Sequence, residues 1–410
     1  MSMLIGQSME RVYENLVWEH FSENRQMLFL MGPRQVGKTT TARRAASAIG
    51  EATYLNYDDR DHRRQILGGP AAIAATLGLD RLRESQPVCV LDELHKHGRW
   101  KSLLKGLFDS YGDQARFLIT GSARLDVFRA GADSLMGRYF GYRMHPLSVA
   151  ELVSPQFSDA LIREPAAIED HEFDALTRLG GYPEPFLKGT DRFWRRWTRT
   201  RARQLLREDL RDLTQVREVG QVETVAELLR QQVGQLTSYS SISRAVGASV
   251  DSVKRWIKIL ESLYFVFSIR PWFTNVARSL RKEPKYFLWD WSAAPNEGAR
   301  AENLVASALL KATHLWTDRG LGDFQLCFLR DKQKHEVDLV VIRDGAPWFL
   351  VEVKHSASSG LSPSLARFQK QLGAPHAFQV ALDAPYVDVD CFSRTDPVIV
   401  PARTFLSQLV

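Results

Sequence analysis

The first 150 residues alternate short apolar runs with stretches of helical periodicity. A parallel strand that is buried on both faces is apolar along its whole length, whereas a surface helix repeats its apolar positions every three to four residues. Apolar runs separated by helical stretches, here 39–49 and 100–111, therefore predict a parallel α/β sheet. The predicted strands are 27–31, 52–56, 88–91 and 117–120.

From about residue 152 to 233 the pattern becomes helical and charged. Segment 239–263 then predicts a helix, a turn at Gly247 and a second helix with apolar residues at helical spacing. A strand-like run, 264–270, follows directly, and a helix-turn-helix followed by a strand is the outline of a winged helix. The last part of the chain predicts a helix near 302–310 and a β-hairpin at 336–354.

The composition is that of a globular protein, with 44% hydrophobic and 25% charged residues. The 410 residues predict two or three domains. No apolar run approaches the roughly 18 residues that cross a bilayer, and the first residues do not resemble a secretory signal. The three cysteines are far apart, which excludes a disulfide framework and a zinc ribbon. We therefore expect a cytoplasmic protein without a membrane partner.

A phosphate-binding motif follows the first predicted strand. The pattern G-x-x-x-x-G-K-[ST] opens a helix, so that backbone N–H groups and the helix N-terminus surround phosphate oxygens. Lys38 is expected to reach the β- and γ-phosphates of ATP, and the Thr39 hydroxyl is expected to ligate Mg²⁺. The predicted nucleotide-binding residues of this loop are Gly32, Pro33, Arg34, Gln35, Val36, Gly37, Lys38, Thr39 and Thr40.

Two acids end the third predicted strand. Asp92 is expected to hold Mg²⁺ through water, and Glu93 is expected to orient and polarise the attacking water. The fourth predicted strand ends in Thr120-Gly121-Ser122. Thr120 or Ser122 would sense the γ-phosphate there, and Ser122 is the candidate we select.

The C-terminal hairpin places charged residues at strand spacing. If Ile342 pairs with Trp348 across a five-residue loop, Asp338 lies opposite Glu352, and Lys354 shares their face. Opposed carboxylates repel unless a cation lies between them, which favours a Mg²⁺ or Mn²⁺ site assisted by Lys354. The alternative is a half-exposed hairpin in which Lys354 neutralises the acids.

The net charge of +6 is concentrated in residues 191–217, which contain nine arginines and four acids. Trp194 and Trp197 interleave with the arginines, as is typical of nucleic-acid contacts. A solvated face or a subunit interface is the alternative. Exposed cations on the second helix of the helix-turn-helix would contact DNA or dock a protein: Lys254, Arg255 and Lys258. Five arginines share one helical face: Arg192, Arg196, Arg199, Arg203 and Arg207.

The chain resembles a group of prokaryotic AAA+ ATPases through its segments GPRQVGKTT, VLDELHK, LITGSA, GRYFGYRMHPLSVAEL and GGYPEP. The resemblance implies an α/β fold with an AAA+ P-loop parallel sheet and helical lid, a winged-helix domain, and a restriction-endonuclease-like α/β domain similar to PD-(D/E)XK nucleases. The implied domains are 1–150 (ATPase core), 151–233 (helical lid and Arg-rich helix), 234–274 (winged helix) and 275–410 (nuclease-like).

The same resemblance implies further residues and an assembly. Glu302 matches the upstream acid of the nuclease-like metal site. Arg138 matches the arginine that completes the site of a neighbouring subunit in a homo-oligomeric ring, such as a hexamer. A surface ion pair is the alternative role for Arg138, and Arg124 and Arg129 are substitutes.

The predicted function is ATP hydrolysis coupled to binding and processing of DNA, with metal-dependent nuclease activity as a further hypothesis. The alternative is an ATP-gated regulatory switch whose winged-helix and C-terminal domains dock proteins. Both hypotheses use ATP and Mg²⁺ as cofactors. The predicted catalytic residues are Lys38, Glu93 and Arg138 for ATP and Asp338, Glu352 and Lys354 for the nuclease-like site, with Glu302, Asp338 and Glu352 as metal ligands.

Overall fold

The computed structural model describes residues 9–121, 135–157, 160–210, 218–273 and 283–410. The chain forms two compact units. The first unit contains the residues up to 145 together with 155–157, and the second contains 146–154 and the residues from 158 to the C-terminus.

The first unit is built on a five-stranded parallel sheet in the order β2-β3-β4-β1-β5. Its strands are β1 (Met27–Met31), β2 (Ala52–Asn56), β3 (Val88–Asp92), β4 (Arg116–Gly121) and β5 (Tyr139–Arg143). Residues of β1, β3 and β4 belong to a buried cluster that also contains Leu104 and Leu107 of the last helix. The helices are α1 (Val12–Glu23), α2 (Lys38–Ile49), α3 (Arg60–Leu67), α4 (Gly69–Thr76) and α5 (Trp100–Tyr111).

Four of these strands confirm the prediction from apolar runs, and β5 was not predicted. Strand β5 pairs with β1 at one edge of the sheet. Its Phe140 side chain is 45% exposed, and Gly141 interrupts the run. The segment therefore lacks the continuous apolar run by which the other strands were predicted.

The second unit contains a mixed seven-stranded sheet in the order β12-β11-β10-β9-β8-β6-β7. Neighbours pair in parallel between β6 and β8, β10 and β11, and β11 and β12, and the other pairs are antiparallel. The strands are β6 (Val266–Pro271), β7 (Lys285–Leu288), β8 (Phe324–Arg330), β9 (Glu336–Arg343), β10 (Ala346–Lys354), β11 (His376–Ala381) and β12 (Val398–Pro401).

The second unit also contains helices, most of which precede or follow the strands of its sheet. They are α6 (Val149–Val153), α7 (Asp170–Leu179), α8 (Pro183–Lys188), α9 (Asp191–Arg203), α10 (Val219–Gln231), α11 (Tyr239–Val246), α12 (Val250–Ser262), α13 (Glu297–Asp318), α14 (Pro363–Leu372) and α15 (Ala402–Ser407). A π-helical turn, Gln204–Asp209, continues α9. None of the helices in the described ranges is long and apolar enough to cross a bilayer.

The predicted helix-turn-helix forms as two helices, α11 and α12, with Gly247 in the left-handed conformation between them (φ of 65°). Strand β6, which the sequence analysis assigned to the winged helix, pairs with β7 and also with β8 of the large sheet. The winged helix and the domain boundaries at 150, 233 and 274 stay predictions.

The hairpin of β9 and β10 has a shorter turn than predicted. The prediction of a five-residue loop at 343–347 is wrong, because Arg343 already pairs with Ala346 across the two-residue turn Asp344-Gly345. Both turn residues have positive φ, 49° and 84°, as a tight hairpin turn that follows the strand twist requires.

The register of this hairpin changes at a bulge. Ile342 pairs with Pro347 instead of Trp348, and the register shifts before Phe349, which pairs with Val341. Pairing then continues to Leu339 and Val351, the register that the sequence analysis assumed. The bulge therefore compensates for the shorter turn, and Asp338 and Glu352 come next on facing strands.

A buried ion pair joins α6 to α13. The Lys311 ammonium lies 2.5 Å from a carboxylate oxygen of Glu151, and the exposed fractions of the two side chains are 1% and 0%. Lys311 also donates to Ser148 Oγ (2.9 Å) and to the Pro146 carbonyl (3.2 Å). A buried charge is stable only when it is paired and hydrogen-bonded, so this pair determines how α6 and α13 pack.

We expect Glu151→Ala to lower the free energy of unfolding of the second unit by about 3–5 kcal/mol, because it removes the carboxylate that pairs with the buried Lys311 ammonium. Urea denaturation followed by tryptophan fluorescence measures this, since eight of the ten tryptophans lie in the second unit. Asp251→Asn is the control, because Asp251 forms only an exposed pair with Lys254 and its loss should cost less than about 1 kcal/mol. Equal losses in the two variants would contradict the prediction.

Candidate functional site

The loop after β1 has the backbone conformation of a phosphate-binding turn. It leads directly into α2, which begins at Lys38. Gln35 and Gly37 have left-handed φ values of 64° and 104°. Gly32 has no room for a side chain, because a Cβ atom there would lie 2.3 Å from the Met144 carbonyl oxygen. A tight loop that opens a helix is the arrangement that binds phosphate. The remaining predicted residues, Pro33, Arg34, Val36, Thr39 and Thr40, lie in this loop or in the first turn of α2.

Lys38 is held against the loop that precedes it. Its side chain is buried, and the Nζ atom donates to the carbonyl oxygens of Gly32 (2.9 Å) and Pro33 (2.6 Å). A bound phosphate would compete with these carbonyls for the ammonium group. The contacts therefore place the predicted phosphate ligand beside the loop that carries the motif.

The Asp92 carboxylate, at the end of β3, is the centre of the site. It is 4% exposed and accepts hydrogen bonds on both oxygens. Oδ2 accepts from Thr39 Oγ1 (2.8 Å) and from the Tyr54 hydroxyl (2.7 Å). Oδ1 accepts from the Glu93 N–H (3.0 Å) and from Thr120 Oγ1. The two predicted Mg²⁺ ligands, Thr39 and Asp92, are thus in direct contact, and a hydroxyl with a carboxylate is a donor set that suits Mg²⁺.

Glu93 lies next to this centre in a left-handed conformation, with φ of 54°. Its Oε2 atom is buried and accepts no hydrogen bond from the described residues. The same atom lies 3.5 Å from His95 Nε2 and 3.6 Å from Lys96 Nζ. A buried carboxylate oxygen with no donor attached is suited to accept a proton from water.

Tyr54 is a member of the site that sequence analysis missed. Burial and its hydrogen bond to the Asp92 carboxylate raise the pKa of Tyr54, so the phenol stays protonated and donates. Tyr54 lies on β2, whose pairing with β3 brings it near Asp92. No motif marks this tyrosine, because its role depends on strand adjacency.

The sensor and arginine candidates have different outcomes. Thr120 is already engaged as a donor to Asp92, whereas Ser122, Arg124 and Arg129 lie outside the described residues. Arg138 forms a bidentate pair with Asp109 of α5, with distances of 2.7 Å from Nε and 3.0 Å from the second nitrogen. The alternative role of Arg138, an ion pair within its own chain, is therefore the one present in this structure.

A second cluster of charged side chains lies in the sheet of the second unit. Lys354 Nζ donates to Glu352 Oε1 (2.8 Å), and Asp338 Oδ2 accepts from the Val353 N–H (2.9 Å). Lys285 Nζ lies 3.5 Å from Glu302 Oε1. We call Glu302, Asp338, Glu352, Lys354 and Lys285 the carboxylate cluster. The structure thus brings the four residues predicted for the nuclease-like site to one place and adds Lys285.

The charges of the cluster influence one another. Burial and the nearby Asp338 carboxylate raise the pKa of Glu302 to about 7. Burial also raises the pKa of Asp338, and burial together with Asp338 raises that of Glu352. Burial lowers the pKa of Lys285, but the carboxylates around it raise it more, so the ammonium stays charged. The carboxylates are therefore crowded and only partly neutralised by the lysines.

The cluster fits a metal ion in part. Glu352 Oε2 is buried and has no hydrogen-bond partner among the described residues, so one oxygen is available to a cation. Across the same residues, however, no three His, Cys, Asp or Glu side chains are grouped closely enough to form a metal site. The donors are thus of the chemical type that Mg²⁺ or Mn²⁺ takes, but Lys354 and Lys285 occupy two of them.

The sequence did not indicate one member of the carboxylate cluster, Lys285, or two of its neighbours, Glu336 and Gly234. Lys285 also lies 2.6 Å from Glu336 Oε1. A Cβ atom at Gly234 would lie 2.8 Å from Glu302 Oε2, and Gly234 has a positive φ of 75°. Lys285 lies on β7 and Gly234 lies after α10, so only the tertiary fold brings them to Glu302.

The Arg-rich helix α9 exposes most of its predicted face. Arg192, Arg196, Arg199, Arg203 and Arg207 are all exposed, and Arg207 pairs with Glu223 at 2.7 Å. The prediction that tryptophans interleave with this face is wrong for Trp197, which is buried against Tyr182 with a ring distance of 5.1 Å. Trp194 Nε1 donates to Ser292 Oγ (2.9 Å). The aromatic rings therefore pack inside the unit.

The second helix of the helix-turn-helix has the predicted two faces. Val253, Ile257 and Leu260 are buried, whereas Lys254, Arg255 and Lys258 are exposed. An exposed cationic face on such a helix is compatible with a phosphate backbone and with an acidic protein surface. Both interpretations of α12 stay open.

Comparison with protein families supports the first site. Residues 24–153 match the model of an AAA domain. Residues 170–296 and 297–386 match two domains of unknown function, DUF8612 and DUF4143. The AAA-domain match, together with the loop and Asp92 geometry, supports ATP binding and hydrolysis by an AAA+ P-loop ATPase. The other two matches specify no activity, so the nuclease-like domain stays a prediction.

Individual relatives and solved structures add little on function. The chain is 26% identical over 355 residues to the uncharacterized proteins Rv2008c of Mycobacterium tuberculosis and Mb2031c of Mycobacterium bovis, covering 83% of this chain and 72% of each relative. A point variant of RuvB from Thermotoga maritima has a TM-score of 0.30 at 16% identity, covering 62% of this chain and 87% of RuvB. AMPPCP-bound DnaA from Aquifex aeolicus has a TM-score of 0.32 at 14% identity, covering 61% of this chain and 87% of DnaA. Because these TM-scores are low, the two structures add no argument about fold or function to the AAA-domain match.

We expect the stability of the metal-free protein to fall as the pH rises from about 5 to about 8, in part through Glu302. Its folded pKa of about 7 lies above the ordinary value of 4.5, so the folded state binds the extra proton and loses this advantage as that proton dissociates. Urea unfolding in EDTA should therefore show the Glu302→Gln variant gaining stability relative to wild type with rising pH. Glu297→Gln, at an exposed position of the same helix, should run parallel to wild type. A Glu302→Gln curve that is also parallel would contradict the prediction.

Proposed function

We propose that the protein is an ATPase whose turnover drives the processing of DNA, and that the carboxylate cluster hydrolyses phosphodiesters with a divalent metal. The observation that supports the ATPase best is the contact between Thr39 and Asp92, two residues from separate motifs that meet at 2.8 Å. Two oxygen donors placed in this way beside a phosphate-binding loop match the requirements of Mg²⁺-ATP.

The residues of the first unit divide the work of hydrolysis. Lys38 binds the β- and γ-phosphates, and Thr39 and Asp92 hold Mg²⁺. Bound Mg²⁺ supplies charge neutralisation on the phosphate oxygens. Glu93 accepts a proton from the attacking water through Oε2, which has no donor attached in the described structure. Tyr54 and Thr120 keep the Asp92 carboxylate in position.

Arg138 has a conditional role in this proposal. Its guanidinium is paired with Asp109 of the same chain. To complete the site of a neighbouring subunit, Arg138 would exchange this carboxylate for a γ-phosphate. A homo-oligomeric ring would therefore be accompanied by loss of the Arg138–Asp109 pair.

The proposal for DNA depends on the exposed cations of the second unit. The arginines of α9 and the cations of α12 are exposed and fit a phosphate backbone. Five phosphate contacts would give a slope of log affinity against log salt of about −4.5 on duplex DNA. The inward packing of Trp197 favours backbone contacts over base stacking.

The proposal for phosphodiester hydrolysis depends on the carboxylate cluster. Asp338 and Glu352 would hold the metal, Glu302 would complete its ligands, and Lys354 would stabilise charge on the scissile phosphate. The metal supplies an activated water. Metal binding requires Lys354 to leave Glu352 Oε1, to which it is bonded at 2.8 Å.

We expect Lys38→Ala to abolish ATP turnover and Glu93→Gln to lower it by about 10²–10⁴-fold while ATP stays bound. Lys38 supplies phosphate binding, whereas Glu93 acts only on the water. Phosphate release measures turnover, and filter binding of labelled ATP measures occupancy. Lys105→Ala, an exposed lysine of α5, is the control and should behave as wild type. Hydrolysis retained in both site variants would refute the assignment.

The DNA proposal predicts that single-stranded, duplex or branched DNA stimulates phosphate release in Mg²⁺. Gels of the same samples test cleavage, and cutting lost in Asp338→Ala but kept in Asp396→Asn, an exposed acid of the same unit, would assign the nuclease. Stimulation without cutting would refute the nuclease alone. Turnover that is indifferent to every DNA would refute DNA processing and favour the switch that docks proteins.

A further inference from the structure

A cavity of about 710 Å³ lies within the second unit, apart from the carboxylate cluster. Its walls come from α9, from α10 and from the segment between 288 and 300. We call it the α9 cavity. Its volume is in the range of pockets that hold small molecules, about 300–1,000 Å³.

The lining of the α9 cavity is rich in arginine. Three acidic side chains also line it, Glu223, Glu227 and Asp290, so the cations outnumber the acids by two. Glu227 is already paired with Arg230, and Glu223 is paired with Arg207, which does not line the cavity. The lining arginines are Arg195, Arg199, Arg201, Arg230 and Arg300.

Several donors at the cavity are buried and lack an acceptor. Arg201 is 7% exposed, and its Nε atom has no hydrogen-bond partner among the described residues. Arg300 Nε and Thr198 Oγ1 are buried and unpartnered in the same way. A buried donor without an acceptor is costly and rare, so three around one cavity indicate a missing ligand with several acceptor atoms.

Arg201 is held in a fixed orientation. One of its terminal nitrogens donates to the Tyr182 hydroxyl, and its guanidinium carbon lies 4.1 Å from the centre of the Tyr182 ring. The Trp197 ring lies 5.6 Å from the same carbon and 5.1 Å from the Tyr182 ring, so the two rings are neighbours beside the guanidinium. The Arg201 Nε atom is the donor that remains without a hydrogen-bond partner among the described residues.

The rest of the cavity lining indicates what the uncharged part of the ligand would contact. Phe265, Leu288 and Pro295 form an apolar part of the wall. Asp290 is buried, accepts from the backbone N–H and hydroxyl of Ser292 and interacts electrostatically with the Arg201 guanidinium, so it is satisfied from within the chain. An occupant would therefore place an anionic end among the arginines and an uncharged body against the apolar wall.

We propose that the α9 cavity binds a small phosphorylated molecule with a compact apolar or uncharged body. A phosphate monoester carries close to two negative charges at neutral pH and three strong acceptor oxygens. These match the two surplus cations and the three unpartnered donors. Arginine forks suit such an oxyanion, because guanidinium groups bind it through paired N–H donors. The proposal does not rest on the ATPase or DNA proposals, although Arg199 belongs both to the cavity lining and to the exposed arginine face of α9.

Phenyl phosphate tests the proposal on the full-length protein, with binding measured by isothermal titration calorimetry. Phenol and benzoate are run beside it. The variant Arg195→Ala/Arg199→Ala removes two exposed arginines of α9 that line the cavity. The control Arg192→Ala/Arg196→Ala removes two exposed arginines of the same helix that do not. Thermal melting verifies that both variants are folded.

We expect phenyl phosphate to bind wild type and the control with similar affinity, and to bind the cavity variant at least about tenfold more weakly. DNA binding should respond the other way round. The control should reduce the salt dependence of DNA affinity more than the cavity variant does, because the control removes two arginines of the predicted DNA face and the cavity variant removes one.

Three results would overturn the proposal. Equal weakening in the two variants would indicate attraction to surface charge alone. Unchanged binding in both would place the probe elsewhere, for instance in the phosphate-binding loop. If benzoate binds as tightly as phenyl phosphate, the cavity does not select a phosphate and its ligand would be a carboxylate. Arg201→Lys gives an additional check, because it keeps the charge but removes Nε, and it should weaken binding if it folds.

Discussion

The first unit depends on one buried carboxylate. Asp92 accepts hydrogen bonds from the side chains of Thr39, Tyr54 and Thr120 and from the N–H of Glu93. A buried anion is tolerated only when its oxygens are satisfied, so these donors stabilise the Asp92 carboxylate in its buried position. The side-chain donors come from α2, β2 and β4. These three elements must therefore pack around the end of β3 for the Asp92 carboxylate to be satisfied. The backbone turn at Glu93 follows from the same network, because its N–H belongs to it.

The carboxylate cluster of the second unit also contains buried carboxylates, but they are stabilised in a different way. Asp92 is stabilised by neutral donors, whereas Glu352 is paired with Lys354 and Glu302 with Lys285. Neutral donors leave the negative charge available to a cation, but lysines compete with one. Glu352 Oε2 is nevertheless unpartnered, and the pKa of Glu302 is raised to about 7, so the lysines do not neutralise the cluster completely. The Asp92 carboxylate therefore keeps hydroxyl and N–H donors around it, whereas the second unit holds a charge-paired cluster.

The sequence predicts the features that depend on local pattern. The central strands are buried on both faces, so their apolar runs located them, and the phosphate-binding loop has a fixed spacing that its chemistry requires. Tyr54 and Lys285 were missed because their roles come from strands that are neighbours only in the fold. The bulge at Trp348 was missed although the final register was right, since Pro347 and a shorter turn changed the pairing in compensating ways. For α9, helical spacing grouped the exposed arginines correctly, but it did not indicate that Trp197 and Arg201 face the interior.

The segment Gly180-Gly181-Tyr182 acquires a physical explanation from the interior of the second unit. A Cβ atom at Gly180 would lie 2.9 Å from Asp290 Oδ1, and φ there is 85°. A Cβ atom at Gly181 would lie 2.4 Å from the Trp291 ring, so neither position accepts a side chain. The close approach that these glycines permit brings Tyr182 under the Arg201 guanidinium. The Tyr182 hydroxyl and ring orient the buried Arg201 guanidinium, and the Asp290 carboxylate interacts with it electrostatically, but neither gives Arg201 Nε an acceptor. The glycines, the tyrosine and Asp290 therefore belong to one arrangement beside the α9 cavity, in which Arg201 Nε is the donor that a bound oxyanion would satisfy.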